Sequence, residues 1–331
     1  MITAVFLCVV ITIRRSFLNR QARKRQKQKT NYQIFLRDII RAGQTTYPVL
    51  KHEPACHIND KAALYLHYFR TLKGEKFSHL QDLISNSHVD EEITQTSSTG
   101  TRGSRMQAVK TLSYLNSQSS LEKIYGNLSS QDKYIRLTAA RCLVRRKGLF
   151  SIRTIIEACL DGFPNDHRLL ADTLSRFGPG AVEHLEAEVR RSKSNTGTAA
   201  CLEALVTIMP SKTTVDFREL MRNPSPVVRS AAVALSSIAT HSNDVDPVKL
   251  GLSDEDISVN IRAAKTACDL KRGDLTSEFY GLTNSSFMWV RYWSMRAIWA
   301  SGSSGEKFLD SLSKTNPMAE KVALEMRSGY V

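Results

Sequence analysis

Several signatures are missing from the 331 residues of this chain, and each absence removes a class of protein. There is no HExxH helix, which excludes the commonest zinc-hydrolase arrangement. There is no G-x-S-x-G turn to expose a nucleophilic serine. Gly302-Ser-Ser-Gly305-Glu-Lys307 has the glycines of a phosphate loop without the four-residue spacing and the following Lys-Ser/Thr. It reads as a helix-to-helix turn, and Gly178-Pro179-Gly180 as a helix stop. His52, Cys56 and His57 lie close together but lack a fourth ligand spaced to close a tetrahedral zinc site. His184, Glu186 and Glu188 read as one solvated helix face. None of the six cysteines forms a CxxC pair. Cys142, Cys159, Cys201 and Cys268 lie inside apolar helical stretches, where a free thiol packs as a small hydrophobe. A chain this long needs no disulfide staples, so its body reads as a protein of a reducing compartment. No catalytic residue, metal ligand or cofactor site can be nominated, and neither an enzyme nor a small-molecule substrate is expected.

Charge of one sign is also scarce once a single block is set aside. The formal charge is +14, with 46 basic and 32 acidic residues. Residues 14–29 hold Arg14, Arg15, Arg20, Arg23, Lys24, Arg25, Lys27 and Lys29 and no acid. Without these eight, 38 basic residues face 32 acidic ones. That modest excess is weak evidence for a phosphate-binding surface, and no nucleic-acid partner is expected. Before the block stand residues 1–13 (MITAVFLCVVITI), uncharged and almost wholly apolar. Thirteen helical residues span about 20 Å against a hydrocarbon core of about 30 Å. Three readings compete for them. A signal peptide carries its positive charge before the apolar run, and here it follows. A buried core helix sits poorly beside a basic block. A membrane anchor fits best, with Arg14, Arg15, Arg20, Arg23, Lys24 and Arg25 meeting anionic lipid and holding the body in the cytoplasm, on the inner face of the cytoplasmic membrane.

The strongest signal is a period of 31 residues. It aligns Arg105, Arg136, His167, Thr198, Arg229, Asn260 and Arg291. Three residues on stand Ala108, Ala139, Leu170, Cys201, Ala232, Ala263 and Ser294; seven on stand Leu112, Leu143, Leu174, Leu205, Ser236, Ala267 and Ile298. With the residue just before the anchor (Ile135, Val228, Val259 and Val290 among them), these offsets fall on one helical face. Six residues before the anchor stand Thr99, Ser130, Asp161, Ser192, Asn223, Asp254 and Ser285, all of a type that caps a helix N-terminus. Gly148, Gly178, Gly273 and Gly302 suit the helix ends. A second apolar stripe precedes each of these helices: Leu121, Ile124, Tyr125 and Leu128; Ile152, Ile155, Ile156 and Cys159; Val182, Leu185 and Val189; Val215, Phe217 and Leu220. About seven helical-pair units of 31 residues predict an all-α solenoid whose units share their cores by stacking. The anchor arginines Arg136, Arg229 and Arg291 are expected to pair with an acid or carbonyl of the neighbouring unit.

The segments LSSQDKYIRLTAARCL, MRNPSPVVRSAAVAL and SFMWVRYWSMRAIWA resemble HEAT repeats of the short bacterial kind, the PBS-lyase-type repeat, in which Val-Arg is followed by Ala-Ala and leucine. The motif is degenerate at Val259–Asn260, where Arg262 is a substitute. The layout also resembles a group of bacterial HEAT-repeat proteins with an N-terminal apolar anchor, a basic stretch, an L-[RK]-G element (here Leu72–Lys73–Gly74) and repeats ending in W-V-R-Y. This resemblance implies a right-handed HEAT-like solenoid behind a short N-terminal apolar helix. Because such proteins are often encoded beside membrane glycosyltransferases, it also implies a membrane-protein partner in envelope polysaccharide work. The expected organisation is an anchor helix at 1–13, a basic juxtamembrane segment at 14–30, an N-terminal helical cap at 31–90 built on helices near 60–72 and 75–85, a flexible loop at 91–104, and the solenoid with its C-terminal cap at 105–331.

All three tryptophans fall at Trp289, Trp293 and Trp299, with Tyr292 among them. They either seal the last core of the array or form a partner surface, since Trp, Tyr and Arg dominate interface hot spots. Trp289, Arg291 and Tyr292 are the nominated contacts, because Trp289 and Tyr292 flank the buried phase set by Val290. The function expected is a non-enzymatic, membrane-tethered scaffold for a protein partner. The alternatives are a HEAT-like enzyme of the bilin-lyase or DNA-glycosylase type and an anionic-lipid-binding regulator.

Overall fold

The computed structural model describes residues 2–42, 53–85, 87–146, 151–160, 167–238 and 245–328, with backbone alone at 2–9 and 151. His52, Gly148 and Asp161 lie outside these residues. The described chain is all helical, with nineteen α-helices and no strand. It forms two compact units, Met1–Gly148 and Leu149–Val331.

The first unit begins with α1 (Ile2–Ala42), an unbroken helix of 41 residues. Residues 2–42 contain no proline or glycine, so nothing interrupts its hydrogen-bond ladder. The expected anchor helix and basic segment are therefore one element. α1 is apolar only over its start, and among the described residues no helix is long and apolar enough to cross a membrane. Its last third packs through Tyr32, Leu36 and Ile39, which recur at helical spacing and are buried. Residues 10–27 are exposed throughout.

α2 (Ile58–Thr71) and α3 (Glu75–Ser85) are the expected helical pair. The turn between them puts Gly74 at φ +61°, a left-handed conformation that glycine adopts without a Cβ penalty. The loop expected at 91–104 is instead mostly helix. α4 (His88–Thr99) and α5 (Arg102–Leu112) part only at Gly100–Thr101. Polar composition hid the pattern: Val89, Ile93, Thr96 and Ser97 bury one face of α4, and Ser87 caps it by accepting from the Val89 N–H at 3.3 Å. α6 (Gln118–Asn127) and α7 (Lys133–Arg145) complete the unit, with α5 packed against α2, α4, α6 and α7.

The second unit runs α8 (Ser151–Leu160), α9 (His167–Ser175), α10 (Val182–Arg191), α11 (Asn195–Ile208), α12 (Phe217–Met221), α13 (Pro226–Ser236), α14 (Pro247–Leu252), α15 (Ile257–Asp269), α16 (Thr276–Leu282), α17 (Met288–Ala300), α18 (Ser303–Ser313) and α19 (Pro317–Arg327). Helices α9, α11, α13, α15, α17 and α19 pack in a row, each on the next, and the even-numbered helices α10 to α18 pack beside them.

The periodic columns are core. All seven residues at the third position after the anchor are buried, as are all at the seventh except Ser236, which is half-buried beside buried Leu235. In the preceding stripes Ile124, Ile155, Leu185 and Phe217 are fully buried, whereas Tyr125 is exposed. Burying one such side chain is worth about 1.5–3 kcal/mol, so these columns carry much of the stability.

Helix starts differ from the expectation by two residues. The N-caps are Thr101, Asp132, Ser194, Ser225, Asp256 and Phe287, four residues before the anchor rather than six. The residues at six before make the turn that precedes the cap. Side-chain oxygens of Ser130, Ser192, Asn223, Asp254 and Ser285 accept the N–H of the residue two further on, at 2.9–3.3 Å. The glycines of the last turn also have a packing explanation. Gly302 takes φ +103°, and a Cβ on Gly305 would lie 1.8 Å from the Ile298 carbonyl oxygen. Gly305 thus lets α18 start directly against α17. Gly178 takes φ +74°, while at the end of α15 it is Lys271, not Gly273, that turns left-handed.

Candidate functional site

Three constellations could carry function: the start of α17, the ladder at the repeat anchor, and a buried polar network in the first unit. At α17 an apolar residue takes the cap position; α13 also lacks a side-chain cap bond, but there the position holds Ser225. Phe287 occupies the cap position and makes no side-chain cap bond. Asp132 and Asp256, in the same position on α7 and α15, accept from Tyr134 and Ser258 at 2.9 and 2.8 Å. Phe287, Met288 and Trp289 are 55%, 49% and 53% exposed in three consecutive positions. The Trp289 ring meets Tyr292 edge-on at 5.7 Å, and Tyr292 meets Trp293 edge-on at 5.4 Å. Lys265 and Arg296 stand over the Trp293 ring at 5.4 and 5.3 Å. Arg296 donates to the Tyr292 hydroxyl at 2.9 Å, and that hydroxyl donates to Glu325 at 2.9 Å.

The nominated residues therefore divide. Tyr292, like the neighbouring Trp293 and Trp299, is partly buried against the core of α15, α17 and α19. Only Trp289 is free of the core, and its exposed neighbours Phe287 and Met288 were not nominated. Arg291 is committed to its own turn, donating to the Ser285 carbonyl at 2.6 Å. Of the basic residues nominated for lipid, Arg14, Arg15, Arg20, Arg23 and Lys24 are exposed along α1. Arg25 donates to Asp60 at 2.6 Å, which ties α1 to the start of α2.

The anchor ladder is built mainly within each unit. Arg136, Arg229, Asn260 and Arg291 each donate to the carbonyl six residues earlier, at 2.5, 2.8, 2.9 and 2.6 Å. Asn260 fills the role itself, and Arg262 instead pairs with Glu203 at 2.8 Å. Arg229 also reaches the next unit, holding both Asp254 oxygens at 2.8 and 2.7 Å.

The network in the first unit was not foreseen. Tyr32 of α1 and Tyr65 of α2 are fully buried with their hydroxyls in contact. Tyr32 donates to Glu53 at 2.8 Å, which leaves Tyr65 to donate to Tyr32. Buried Lys61 pairs with Glu53 and, at 3.2 Å, with Glu92 of α4. His88 lies 3.5 Å from Glu53. Burial first, then the neighbouring hydroxyl and carboxylates, pushes the Tyr32 phenol far above its ordinary range; burial and Glu53 do the same for Tyr65. Burial pulls the Lys61 ammonium down, but Glu53 and Glu92 outweigh it and hold it above its ordinary value. These groups stay protonated around neutrality, and they fasten the base of α1 to α2 and α4.

Two smaller expectations also change. Glu186 is buried, not part of a solvated face. It accepts from the Thr213 hydroxyl at 2.7 Å, the Thr214 N–H at 3.0 Å and the Thr214 hydroxyl. His57 caps α2, its Nδ1 accepting from the Asn59 N–H at 3.2 Å. Cys142, Cys159, Cys201 and Cys268 are buried, as expected, and Cys56 is half-exposed. Burial pushes the Cys142 thiol up to about 11.

No family model matches the chain. A search of curated proteins returns no match.

Proposed function

We propose that this chain is a non-enzymatic scaffold: a right-handed HEAT-like α-solenoid that holds a protein partner at the start of α17 and is tethered to a membrane by α1. The observation that carries the reading is the exposed run Phe287–Met288–Trp289. Replacing a capping residue with an apolar one costs about 0.5–2 kcal/mol. A turn that forgoes its cap and exposes three large apolar side chains is arranged for contact, since such residues anchor interfaces. The repeated carbonyl bonds of the anchor position and the row from α9 to α19 support the solenoid. The resemblance to anchored bacterial HEAT-repeat proteins points to a membrane partner in envelope polysaccharide synthesis.

α1 supports the tether. Val10, Ile11, Ile13, Phe17 and Leu18 are exposed between and beside Arg14, Arg15, Arg20, Arg23 and Lys24. Such a surface enters the headgroup region of an anionic bilayer.

The test is cross-linking of the full chain in its native membrane, with attached proteins identified by mass spectrometry. Phe287→Asp separates binding from folding, because it removes part of the patch and supplies the missing cap. The reading expects a reproducible membrane-protein partner that is lost in Phe287→Asp and in Trp289→Ala while both variants stay folded. Recovery of the same partner with both variants, or of nucleic acid in its place, would sink it.

A further inference from the structure

A cleft of about 680 Å³ opens beside α12 and α14, away from the residues of the α17 patch. Arg218 of α12 and Arg222, the C-cap just after it, line the cleft four residues apart, and both are exposed. Among the described residues neither guanidinium has a hydrogen-bond or ion-pair partner. Their situation contrasts with Arg229 in the same lining, which is buried and saturated by Asp254 and the carbonyls of Asn223 and Pro224. The rest of the lining is mixed: Met221, Pro224, Val245 and Leu250, the last 49% exposed, are apolar, and Asn223, Ser253, Asp254 and Glu255 are polar. Glu255 also lines the cleft, its side chain 89% exposed and 3.6 Å from Arg229.

Two uncommitted arginines above an aliphatic wall select by charge and by shape. A guanidinium takes a carboxylate through paired parallel hydrogen bonds, and the exposed Leu250 requires an apolar group beside it. A nucleic-acid backbone fits poorly. Among the described residues the lining holds no aromatic ring on which a base could stack, and Glu255 repels a second phosphate while complementing a backbone N–H or a basic side chain. A small anion would leave the apolar wall uncovered. We propose that this cleft docks an acidic segment of a partner protein, in which carboxylates alternate with aliphatic side chains. This site is independent of the α17 surface and of the tether.

The experiment is fluorescence anisotropy on the full chain with a labelled Gly-Glu-Leu-Glu-Leu-Gly peptide. Its Glu→Gln counterpart and a twelve-residue oligothymidine serve as comparison probes. Arg218→Glu with Arg222→Glu, and separately Leu250→Asp, change only exposed side chains, and circular dichroism checks that both variants remain helical. The proposal expects saturable binding of the acidic peptide, weakened at least about tenfold by the double charge reversal. It expects a similar loss with Leu250→Asp, and weakening between about 0.05 and about 0.5 M salt. It is overturned by no saturable signal up to about 1 mM peptide, by equal binding of the Gln peptide, or by variants that bind as the parent does. Tighter binding of the oligothymidine that the charge reversal removes would reassign the cleft to phosphate.

Discussion

Arg229 offers the sharpest test of the repeat as a physical unit. Its side chain is 7% exposed, and that of Asp254 is 8% exposed. Both Asp254 oxygens and two backbone carbonyls take its protons. Asp254 belongs to the turn of the following unit, where it also accepts from the Asp256 N–H at 2.9 Å. Removing one member of such a pair leaves the other charged, buried and uncompensated, at a cost of about 3–5 kcal/mol. Arg229→Ala should fall in that range. Asp254→Ala should fall in its lower half, because the two carbonyls still hold the guanidinium. With both removed no stranded charge remains, so the double variant should be more stable than the sum of the singles predicts by about 2–3 kcal/mol. Arg291→Ala, which loses a carbonyl bond and no acid, should cost only about 1–2 kcal/mol. Urea unfolding followed by tryptophan fluorescence reads all four, since Trp289, Trp293 and Trp299 lie in the same unit. A coupling below about 0.5 kcal/mol would refute the claim that the anchor position ties one unit to the next.

Other outcomes follow from single residues. Lys61→Met should destabilise the first unit by about 3–5 kcal/mol, because Glu53 loses its buried partner; adding Glu53→Gln should recover part of that loss in the same unfolding assay. Lys61 is raised in the folded state, so its stabilisation is complete below its unfolded value of about 10.4 and declines as pH rises through the folded value. A stability–pH curve that stays flat above that range would contradict the network. Asp132, Asp246 and Asp256 run the other way. For Asp132 and Asp246 burial raises the carboxyl, and Arg102 or Arg272 with backbone N–H groups overcomes it; for Asp256 the Ser258 hydroxyl is the main lowering influence. Their caps should hold above the unfolded value of about 3.9 and weaken as pH falls through the folded values, with Asp256→Ala costing about 1 kcal/mol at neutral pH. Gly305→Ala forces α18 off the Ile298 carbonyl and should cost about 3 kcal/mol or more, measurable as a lowered thermal midpoint.

Much of the fold was legible because its information is periodic. Ala139, Ala232 and Ala263 recur at 31-residue spacing, and small residues at one offset on successive helices mean close helix approach wherever they fall. Their burial needed no knowledge of partners. The helix starts were misplaced because two short polar residues precede each helix and both take part. Asp254 makes the turn and Asp256 the cap, and composition alone does not rank them. Helix α4 was missed for a related reason. Thr96 and Ser97 bond back to the carbonyls of Glu92 and Thr94, so they bury without looking apolar.

The candidate sites divide along the same line. Trp289 was legible as exposed, since it precedes Val290, which the period fixes in the core. The period also explains Phe287, because the missing cap stands out only once Asp132 and Asp256 are known to cap the equivalent helices. The Tyr32–Tyr65–Glu53–Lys61–Glu92 network had no such handle. Its members come from α1, α2, α4 and the segment before α2, outside the aligned repeat columns. A tyrosine on a helix reads equally well as core or surface, and a lysine in a half-polar helix reads as solvated. Glu186 failed in the same way, its acceptors filled by Thr213 and Thr214 some 27 and 28 residues away. Buried polar groups are specified by partners rather than by pattern, so a sequence without an alignment conceals them. Here the concealed network fastens the base of α1, the helix that carries the exposed apolar and basic surface, to α2 and α4.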